Sequence, residues 1–181
     1  MRSSPARRRA PLVLVLVGLL AVVPGAHALA PGAAVMRVSS DSMAPTLTRG
    51  DHVVVLPVEE PHRGDLVVFD DPGGWREAVE RIAGPADSVF VKRVIGLPGD
   101  HVVCCDPSGR VEVDGRPLEE PYVVPSRSRT LLAFDVTVGP AELWVLGDNR
   151  DASVDSRYLT ATPGRGMVAL EDVRGTVRWS F

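Results

Sequence analysis

Beyond residue 36 the chain alternates between short apolar runs, rich in β-branched residues, and short polar segments. Runs of this kind are typical of strands, and the Gly, Pro and Asp residues between them are typical of turns. The predicted strands cover residues 35–38, 52–56, 65–69, 89–95, 101–104, 111–113, 143–146 and 175–179. Only residues 75–82 and 170–173 carry a helical pattern, and both stretches are short.

The order and spacing of these elements predict the fold class. Asp114-Gly115 between two short runs predicts a tight hairpin. Residues 117–139 are polar and irregular, and they predict a long excursion without regular structure. Many short strands separated by turns favour a mainly β domain, so we expect an antiparallel β-sandwich or an open barrel.

The start of the chain has a different pattern. Arginines and no acid occur within residues 1–10, and the next charged residue is Arg37. The uncharged stretch between them can supply the roughly 20 residues that span a bilayer. Because basic residues stay on the cytoplasmic side, we expect residues 1–10 in the cytoplasm, one retained transmembrane helix at 11–34, and an extracytoplasmic domain at 35–181. This would make a single-pass protein of the cell membrane. Alanines at both ends of residues 26–28 keep open the alternative of a cleavable secretory signal.

Net charge and cysteine use argue against other classes of function. The 181 residues carry a net charge of -3 with both signs mixed, which does not predict a nucleic-acid-binding surface. Cys104 and Cys105 are the only cysteines, and without a CxxC pair or a histidine cluster they do not predict a zinc site. A vicinal disulfide and two partly buried thiols are both compatible with the sequence.

The candidate chemistry begins with one serine and one lysine. Ser42 follows the predicted strand 35–38. Lys92 is the only lysine of the chain and lies in the apolar strand 89–95, whose neighbours can desolvate the amine and lower its pKa. A neutral lysine can take the proton of a serine hydroxyl, which arginine cannot do. Ser40 and the Ser42 backbone N–H can then stabilise an oxyanion.

Each of these residues also has a simpler interpretation. A serine in a polar stretch is usually a turn residue, and a lysine in a strand usually extends towards solvent. A Ser-His-Asp triad is a further alternative, because triads are recognised by geometry and not by sequence order. No histidine, however, lies in a setting that orients it towards Ser42 with an acid behind it.

A third segment, residues 147–158, follows the predicted strand 143–146 and is dense in Asp, Asn, Ser and Arg. Such a loop can be ordered by its own ion pairs and can hold a hydroxyl in place. We expect Asp155 to pair with Arg157, and Ser153 to hydrogen-bond the amine of Lys92.

These three segments resemble the bacterial type I signal peptidases. The resemblance rests on Ser-Asp-Ser-Met-Ala-Pro-Thr-Leu at 40–47, Lys-Arg-Val-Ile-Gly-Leu-Pro-Gly-Asp at 92–100 and Gly-Asp-Asn-Arg-Asp-Ala-Ser-Val-Asp-Ser-Arg at 147–157. It covers nearly all of the chain after the apolar segment and keeps the family's order, although Ala152 stands where the family often has Asn. The resemblance implies roles for seven residues: Ser42 as nucleophile, Lys92 as general base, Ser153 as the residue that orients the lysine, Ser40 as an oxyanion donor, and Asp148, Asp155 and Arg157 as structural support.

The resemblance also implies a function and a fold. The function is that of a membrane-bound serine endopeptidase that removes signal peptides from exported preproteins by a Ser/Lys dyad, with small residues preferred at the first and third positions before the cut. The fold would be of the signal peptidase or LexA-like type. No cofactor and no metal are implied, and the partners would be the preprotein, the lipid bilayer and the export machinery.

An extended substrate beside the strands that lead to Ser42 and Lys92 would contact five residues: Val35, Met36, Val38, Phe90 and Val91.

Two rival interpretations of the function remain. One is a self-cleaving regulator of the LexA type, which would carry DNA-binding helices in place of the apolar segment. The other is a secreted β-domain without enzymatic activity.

Overall fold

The computed structural model describes residues 31–124 and 132–181, and within them the chain forms two antiparallel sheets. The larger sheet contains seven strands: β1 (Ala34–Arg37), β2 (His52–Leu56), β3 (Leu66–Asp70), β4 (Val89–Gly96), β9 (Glu142–Leu146), β10 (Val168–Ala169) and β11 (Val173–Ser180). The smaller sheet contains four: β5 (His101–Cys104), β6 (Val111–Val113), β7 (Arg116–Pro117) and β8 (Phe134–Thr137). The helix α1 (Trp75–Ala83) connects β3 to β4, and 3-10 turns cover Ser156–Tyr158 and Leu170–Asp172.

The larger sheet has the strand order β1-β2-β11-β3-β4-β9-β10, and each neighbouring pair is antiparallel. Since the direction reverses at each step, β1 and β4 run the same way. The register shifts in β11 between Val177 and Trp179, and in β4 between Val94 and Gly96. Because such bulges bend and twist strands, the sheet curls into a half-barrel.

Three strand edges of this sheet have no neighbouring strand in the described part of the chain: the outer edge of β10, the outer edge of β1 and the first half of β4. β1 lies at the end of the strand order and pairs with β2 alone. β4 pairs with β3 from Val89 onwards, but its pairing with β9 begins at Arg93. Residues 89–92 therefore keep one open edge, with backbone groups that can bind an added strand.

Apolar side chains of the strands and of α1 form three buried clusters. One contains Phe134 and Trp144 and joins the two sheets. The second contains Phe69 and Trp75 and lies between α1 and the larger sheet. The third contains Met43, which is completely buried and follows Ser42 in the chain. Burial of one large side chain stabilises the fold by about 1.5–3 kcal/mol, so these clusters hold α1 and the turn of Ser42 against the sheet.

Asp71 holds the start of α1. Its carboxylate accepts hydrogen bonds from the backbone N–H groups of Gly73, Trp75 and Arg76 at 3.0, 3.0 and 3.2 Å. These bonds satisfy donors that have no partner within the helix itself. The helix ends at Gly84, whose φ of 89° lies in the left-handed region that glycine adopts without strain.

The mainly β class is confirmed, and every predicted strand has a counterpart in the structure. The prediction for residues 117–139 is wrong in part, because β8 lies within them and pairs with β5. The predicted helix at 170–173 is a 3-10 turn, and β10 is too short to carry a recognisable pattern. Cys104 and Cys105 are joined in a disulfide.

The predicted transmembrane helix at residues 11–34 lies mostly outside the described residues. In the part of the chain that the structure describes, no helix is both long and apolar enough to cross a bilayer. The retained span and the cleavable signal therefore both stay predictions.

Candidate active site

Ser42 and Lys92 come together beside the open edge of β4. Ser42 lies in the turn after β1, and Lys92 is a residue of β4. The Lys92 Nζ donates hydrogen bonds to Ser42 Oγ at 2.8 Å and to the Val91 carbonyl at 3.2 Å. Both residues are buried, with exposed fractions of 6% for Ser42 and 4% for Lys92. A hydroxyl and an amine are therefore in direct contact and shielded from water.

Burial lowers the pKa of the Lys92 amine from 10.5 to about 8. The loss of hydration is the largest cause; the negative charges of Asp155 and Asp148 oppose it, and the positive charge of Arg157 adds to it. At pH 7 about one such amine in ten is neutral, compared with about one in 2,500 for an exposed lysine. The site thus provides a usable fraction of free amine near neutral pH.

The turn that carries Ser42 is held by its own backbone and by the loop after β9. The Ala44 N–H donates to the Asp41 carbonyl at 3.1 Å. Asn149 donates from its backbone N–H to the Ser42 carbonyl and from its side-chain amide to the Asp41 carbonyl, both at 3.1 Å. The Ser40 Oγ donates to Ser42 Oγ at 3.2 Å. Two hydroxyls therefore lie side by side on a turn that has little freedom to move.

Asp148 connects this turn to the strand that carries Lys92. Its buried carboxylate accepts two hydrogen bonds from the Arg93 guanidinium, at 2.8 and 2.6 Å, and one from the Thr46 hydroxyl at 2.5 Å. Arg93 directly follows Lys92, and Thr46 lies shortly after Ser42. Because bidentate pairs of arginine and carboxylate fix geometry well, one carboxylate sets the segments of Ser42 and Lys92 relative to each other.

The expected pair of Asp155 and Arg157 is present. Arg157 donates to the two carboxylate oxygens at 2.7 and 2.8 Å, and both residues are buried. The Gly147 N–H donates to Asp155 Oδ2 at 3.0 Å. The loop after β9 is therefore ordered by a buried ion pair that also binds its backbone.

Ser153 lies in the same loop but does not make the hydrogen bond expected for it. Its hydroxyl is buried and has no partner within the described residues, and Lys92 donates elsewhere. Ser153 packs against Gly147, where a Cβ would lie 2.2 Å from Ser153 Oγ and 2.5 Å from the Ser42 carbonyl. Only glycine allows this approach, so Gly147 sets how closely the loop packs on Ser42. The role of Ser153 in orienting the lysine stays a prediction.

A cavity of about 720 Å³ opens beside Ser42 and Lys92 and is lined by the open edges of β1 and β4. Of the residues expected to contact a substrate, four line this cavity: Met36, Val38, Phe90 and Val91. Val35 does not line it and is 50% exposed. Met36 and Arg37, which follow Val35 in the chain, both line the cavity.

Histidines and metal ligands do not contribute to this cavity. No histidine lines it among the residues that the structure describes. His52 stacks on the ring of Phe181, and the His101 ring pairs with Asp135 at 2.6 Å on the smaller sheet. Within the described ranges no cluster of His, Cys, Asp and Glu has the arrangement of a metal site. The geometry therefore favours the lysine over a Ser-His-Asp triad.

The sequence pattern does not single out several residues that order the site. The Tyr122 ring lies 3.8 Å from the Arg93 guanidinium, as a cation–π contact. Glu120 accepts hydrogen bonds from two nitrogens of Arg150, which itself donates to the Gly147 carbonyl at 3.0 Å. Arg93 directly follows the candidate base Lys92 in the chain, and that position is a signal in the sequence. Glu120 and Tyr122 reach the site through tertiary packing alone, and their own stretch carries no signal.

Comparisons with known proteins agree with one another. The family model described as signal peptidase, peptidase S26, matches residues 8–181. A probable signal peptidase I of Mycobacterium leprae is 31% identical over an alignment 190 positions long, and the match covers 78% of this chain and 65% of that protein. A signal peptidase I of Leptolyngbya laminosa is 35% identical over 142 residues, which cover 76% of this chain and 66% of that protein. The chain thus spans just under two thirds of the length of these two relatives.

A solved structure shares the fold. It is the crystal structure of a signal peptidase I from Enterococcus faecalis, whose sequence is 28% identical to this chain. The two structures superpose with a TM-score of 0.50, and the match covers 67% of this chain and 99% of the other. The family match extends over β1, β4 and the loop after β9, which together form the site. The chain therefore belongs to the signal peptidase family, peptidase S26.

Proposed function

We propose that this protein is a serine endopeptidase that cleaves signal peptides from preproteins, with Ser42 as nucleophile and Lys92 as general base. The observation that carries the proposal is the 2.8 Å contact between Ser42 Oγ and the buried Lys92 amine. A serine needs a base to become a nucleophile, and a desolvated lysine is such a base. Membership of the family supports the same chemistry and the same substrate class.

The reaction proceeds in two steps through an acyl-enzyme. Neutral Lys92 accepts the proton of Ser42 as the oxygen attacks the scissile carbonyl carbon. The C–N bond then breaks, Lys92 gives its proton to the leaving amine, and the signal peptide remains as an ester on Ser42. In the second step Lys92 accepts a proton from water, which attacks the ester and releases the new carboxyl terminus while the proton returns to Ser42.

The oxyanion of each step is stabilised by the Ser40 hydroxyl and the Ser42 backbone N–H. The Ser40 Oγ lies 3.2 Å from Ser42 Oγ, which places a second donor beside the attacked carbon. Each such donor stabilises the transition state by about 3 kcal/mol. In the free enzyme the Ser40 hydroxyl donates to Ser42, and it turns to the substrate oxygen once the acyl bond forms.

The loop after β9 positions these groups. Asp148 holds the segments of Ser42 and Lys92 together, and the pair of Asp155 and Arg157 braces the loop behind them. Ser153 orients the Lys92 amine once a bound substrate displaces water and closes the site. Its buried, unpartnered hydroxyl in the described structure is available for that contact.

The preprotein binds as an added strand between the open edges of β1 and β4. Both edges present free backbone groups, and both line the cavity. Main-chain hydrogen bonds give such a strand its affinity, and pockets for alternate side chains give its specificity. Met36, Val38, Phe90 and Val91 narrow the cavity, which suits the small residues expected at the first and third positions before the cut.

The enzyme acts at the cell membrane, near the protein export machinery. The proposal rests on the basic residues 1–10 and on the uncharged segment that follows them. The span at residues 11–34 is retained, with the N-terminus in the cytoplasm and residues 35–181 outside. Ser42 then lies a few residues beyond the apolar segment, where an emerging preprotein presents its cleavage site.

Cleavage of a synthetic preprotein by the full chain in detergent tests the proposal. Ser42→Ala and Lys92→Met should each lower kcat by at least about a thousandfold, because each removes a group that takes part in the covalent step. Exposed Ser108→Ala and Arg81→Met serve as controls and should retain activity. If Ser42→Ala or Lys92→Met cleaves the preprotein as fast as the parent does, the proposed dyad is wrong.

A further inference from the structure

The cavity continues beyond the two strands to a wall formed by α1 and the connection to β4. Val79 and Ala83 of α1 line it, and so do Pro85 and Ala86 of the connection. We call these four residues the α1 wall. They lie at the end of the cavity next to Val89, where β4 begins.

The helix holds this wall in place through its buried side. Trp75 is 1% exposed and packs on Phe69 and Phe90, with ring centroids 5.3 and 5.8 Å away. Residues four apart on a helix share one face, so the stripe that starts at Trp75 continues through Val79 to Ala83. The same face that anchors α1 in the core therefore emerges into the cavity.

The α1 wall is apolar although α1 is a charged helix. Arg76, Glu77, Glu80 and Arg81 lie on its other faces and do not line the cavity. Asp87 and Ser88 are the polar lining residues of the connection. The wall consists of Val, Ala and Pro side chains and lies next to the slot between the open edges of β1 and β4. Apolar side chains of a substrate are more stable against such a surface than in water.

Chain direction identifies the part of a substrate that would reach this wall. The slot between β1 and β4 ends at Ser42 and Lys92 and leads back towards Val89. After the first step the signal peptide stays on Ser42 as an ester, so the slot must hold the residues before the cleaved bond. Ser88 lies four positions before Lys92, which corresponds to about 13 Å of extended chain. Pro85 and Ala86 precede Ser88, so the wall begins more than four residues back along the slot.

We infer that the α1 wall is a further apolar subsite, which binds side chains of the preprotein about five to eight residues before the cleaved bond. This inference rests on the proposed function and adds to it. The wall is continuous with the slot of the candidate active site, and its apolar lining suits apolar side chains at these positions of the substrate. Substrates that extend to the wall should gain affinity over shorter ones.

Two peptides that differ in length test the inference with the full chain in detergent. The short peptide begins three residues before the cleaved bond, and the long one begins eight residues before it with leucines at the added positions. The parent should cleave the long peptide with a kcat/KM about tenfold higher, mainly through a lower KM. Ala83→Glu and Val79→Glu should reduce this long-to-short ratio towards one.

Ile82→Glu is the matched control, because Ile82 is 53% exposed in the same helical turn and does not line the cavity. It should leave the long-to-short ratio at the parent value. A ratio near one in the parent, or an equal loss for Ala83→Glu and Ile82→Glu, would overturn the inference. A parent that cleaves neither peptide contradicts the proposed function and with it this subsite.

A lysine placed at successive positions of the long peptide gives a second measurement. The parent should cleave the peptide poorly when the lysine meets the wall, and Ala83→Glu should restore cleavage of that peptide selectively through charge pairing. Rescue confined to positions after the cleaved bond would show that the wall contacts the other side of the substrate, and would also overturn the inference.

Discussion

At the scale of single residues, the chain uses lysine once and arginine wherever else it needs a basic side chain. The lysine lies in a strand, buried against Ser42. Arginine stays protonated at this position and cannot act as a base. In the proposed mechanism, the charge state of this one amine governs both the activity and the local stability of the site.

The first prediction concerns the pH dependence of activity. Since the pKa of Lys92 is lowered to about 8, kcat/KM should rise with pH and level off above about pH 8. A pH profile of peptide cleavage from pH 6 to 10 measures this. Lys92→Arg should be inactive at every pH, because its guanidinium never loses the proton. A flat profile for the parent would contradict the assignment of Lys92 as base.

The second prediction concerns stability, and its sign follows from the lowered pKa. Below about pH 8 the folded protein buries a charged amine, which costs about 3 kcal/mol for a shift of this size. Lys92→Met should therefore unfold at higher urea than the parent at pH 7. The advantage should shrink as pH rises from about 8 to 10.5, because the folded state then buries a neutral amine. A Lys92→Met variant that is less stable at pH 7 would show that hydrogen bonds of the amine outweigh its desolvation.

At the scale of elements, the site depends on contacts between segments that are far apart in the chain. Residues 117–124 lie against the loop after β9 through Glu120, which pairs with Arg150 in a buried contact. They also place Tyr122 over Arg93, which holds Asp148. The sequence of residues 117–124 has little local pattern of strand or helix. Their contribution to the site is therefore visible only in the folded protein.

The third prediction tests that contact. Glu120→Ala leaves the Arg150 guanidinium buried without its carboxylate partner, which should destabilise the fold by about 3–5 kcal/mol. Glu80→Ala removes the exposed partner of Arg76 on α1 and should change stability by about 0.5 kcal/mol or less. Urea unfolding of both variants at neutral pH makes the comparison. Equal effects of the two substitutions would mean that the Glu120 pair does not hold the two segments together.

Element prediction from the sequence worked where the pattern is local. The strands with β-branched runs and the helix at Trp75 are present as expected. The sequence does not predict β8, because Phe134 and Val136 alternate with polar residues inside a stretch rich in Pro, Ser and Arg. Only the pairing with β5 makes this stretch a strand.

At the scale of the whole molecule, a β domain follows a start that has the pattern of a membrane anchor. The domain places its cavity between two strand edges, with β1 coming directly after the apolar segment. A substrate held by the same membrane would need little extended chain to reach Ser42. In the function that we propose, the orientation of the domain relative to the bilayer then decides whether such a substrate reaches Ser42.

The fourth prediction concerns the anchor. In cells that produce the full chain, the protein should sediment with membranes and resist extraction by alkaline carbonate, since an apolar span of about 20 residues inserts stably. Mass spectrometry of the recovered protein should find the N-terminal segment intact. Recovery in the soluble fraction, as a chain that begins after residue 28, would favour the cleavable signal instead.

The sequence by itself determined the mainly β class, the charge pattern of the N-terminus, and the choice of Ser42 and Lys92 as candidates. These properties depend on neighbouring residues, on a period of two, and on the identity of a single lysine. Only the tertiary structure decided that Ser42 Oγ and Lys92 Nζ lie 2.8 Å apart, that Val35 does not line the cavity, and that α1 does. Those properties arise from contacts between distant segments, and they follow from how the curled sheet brings β1, β4 and the loop after β9 together.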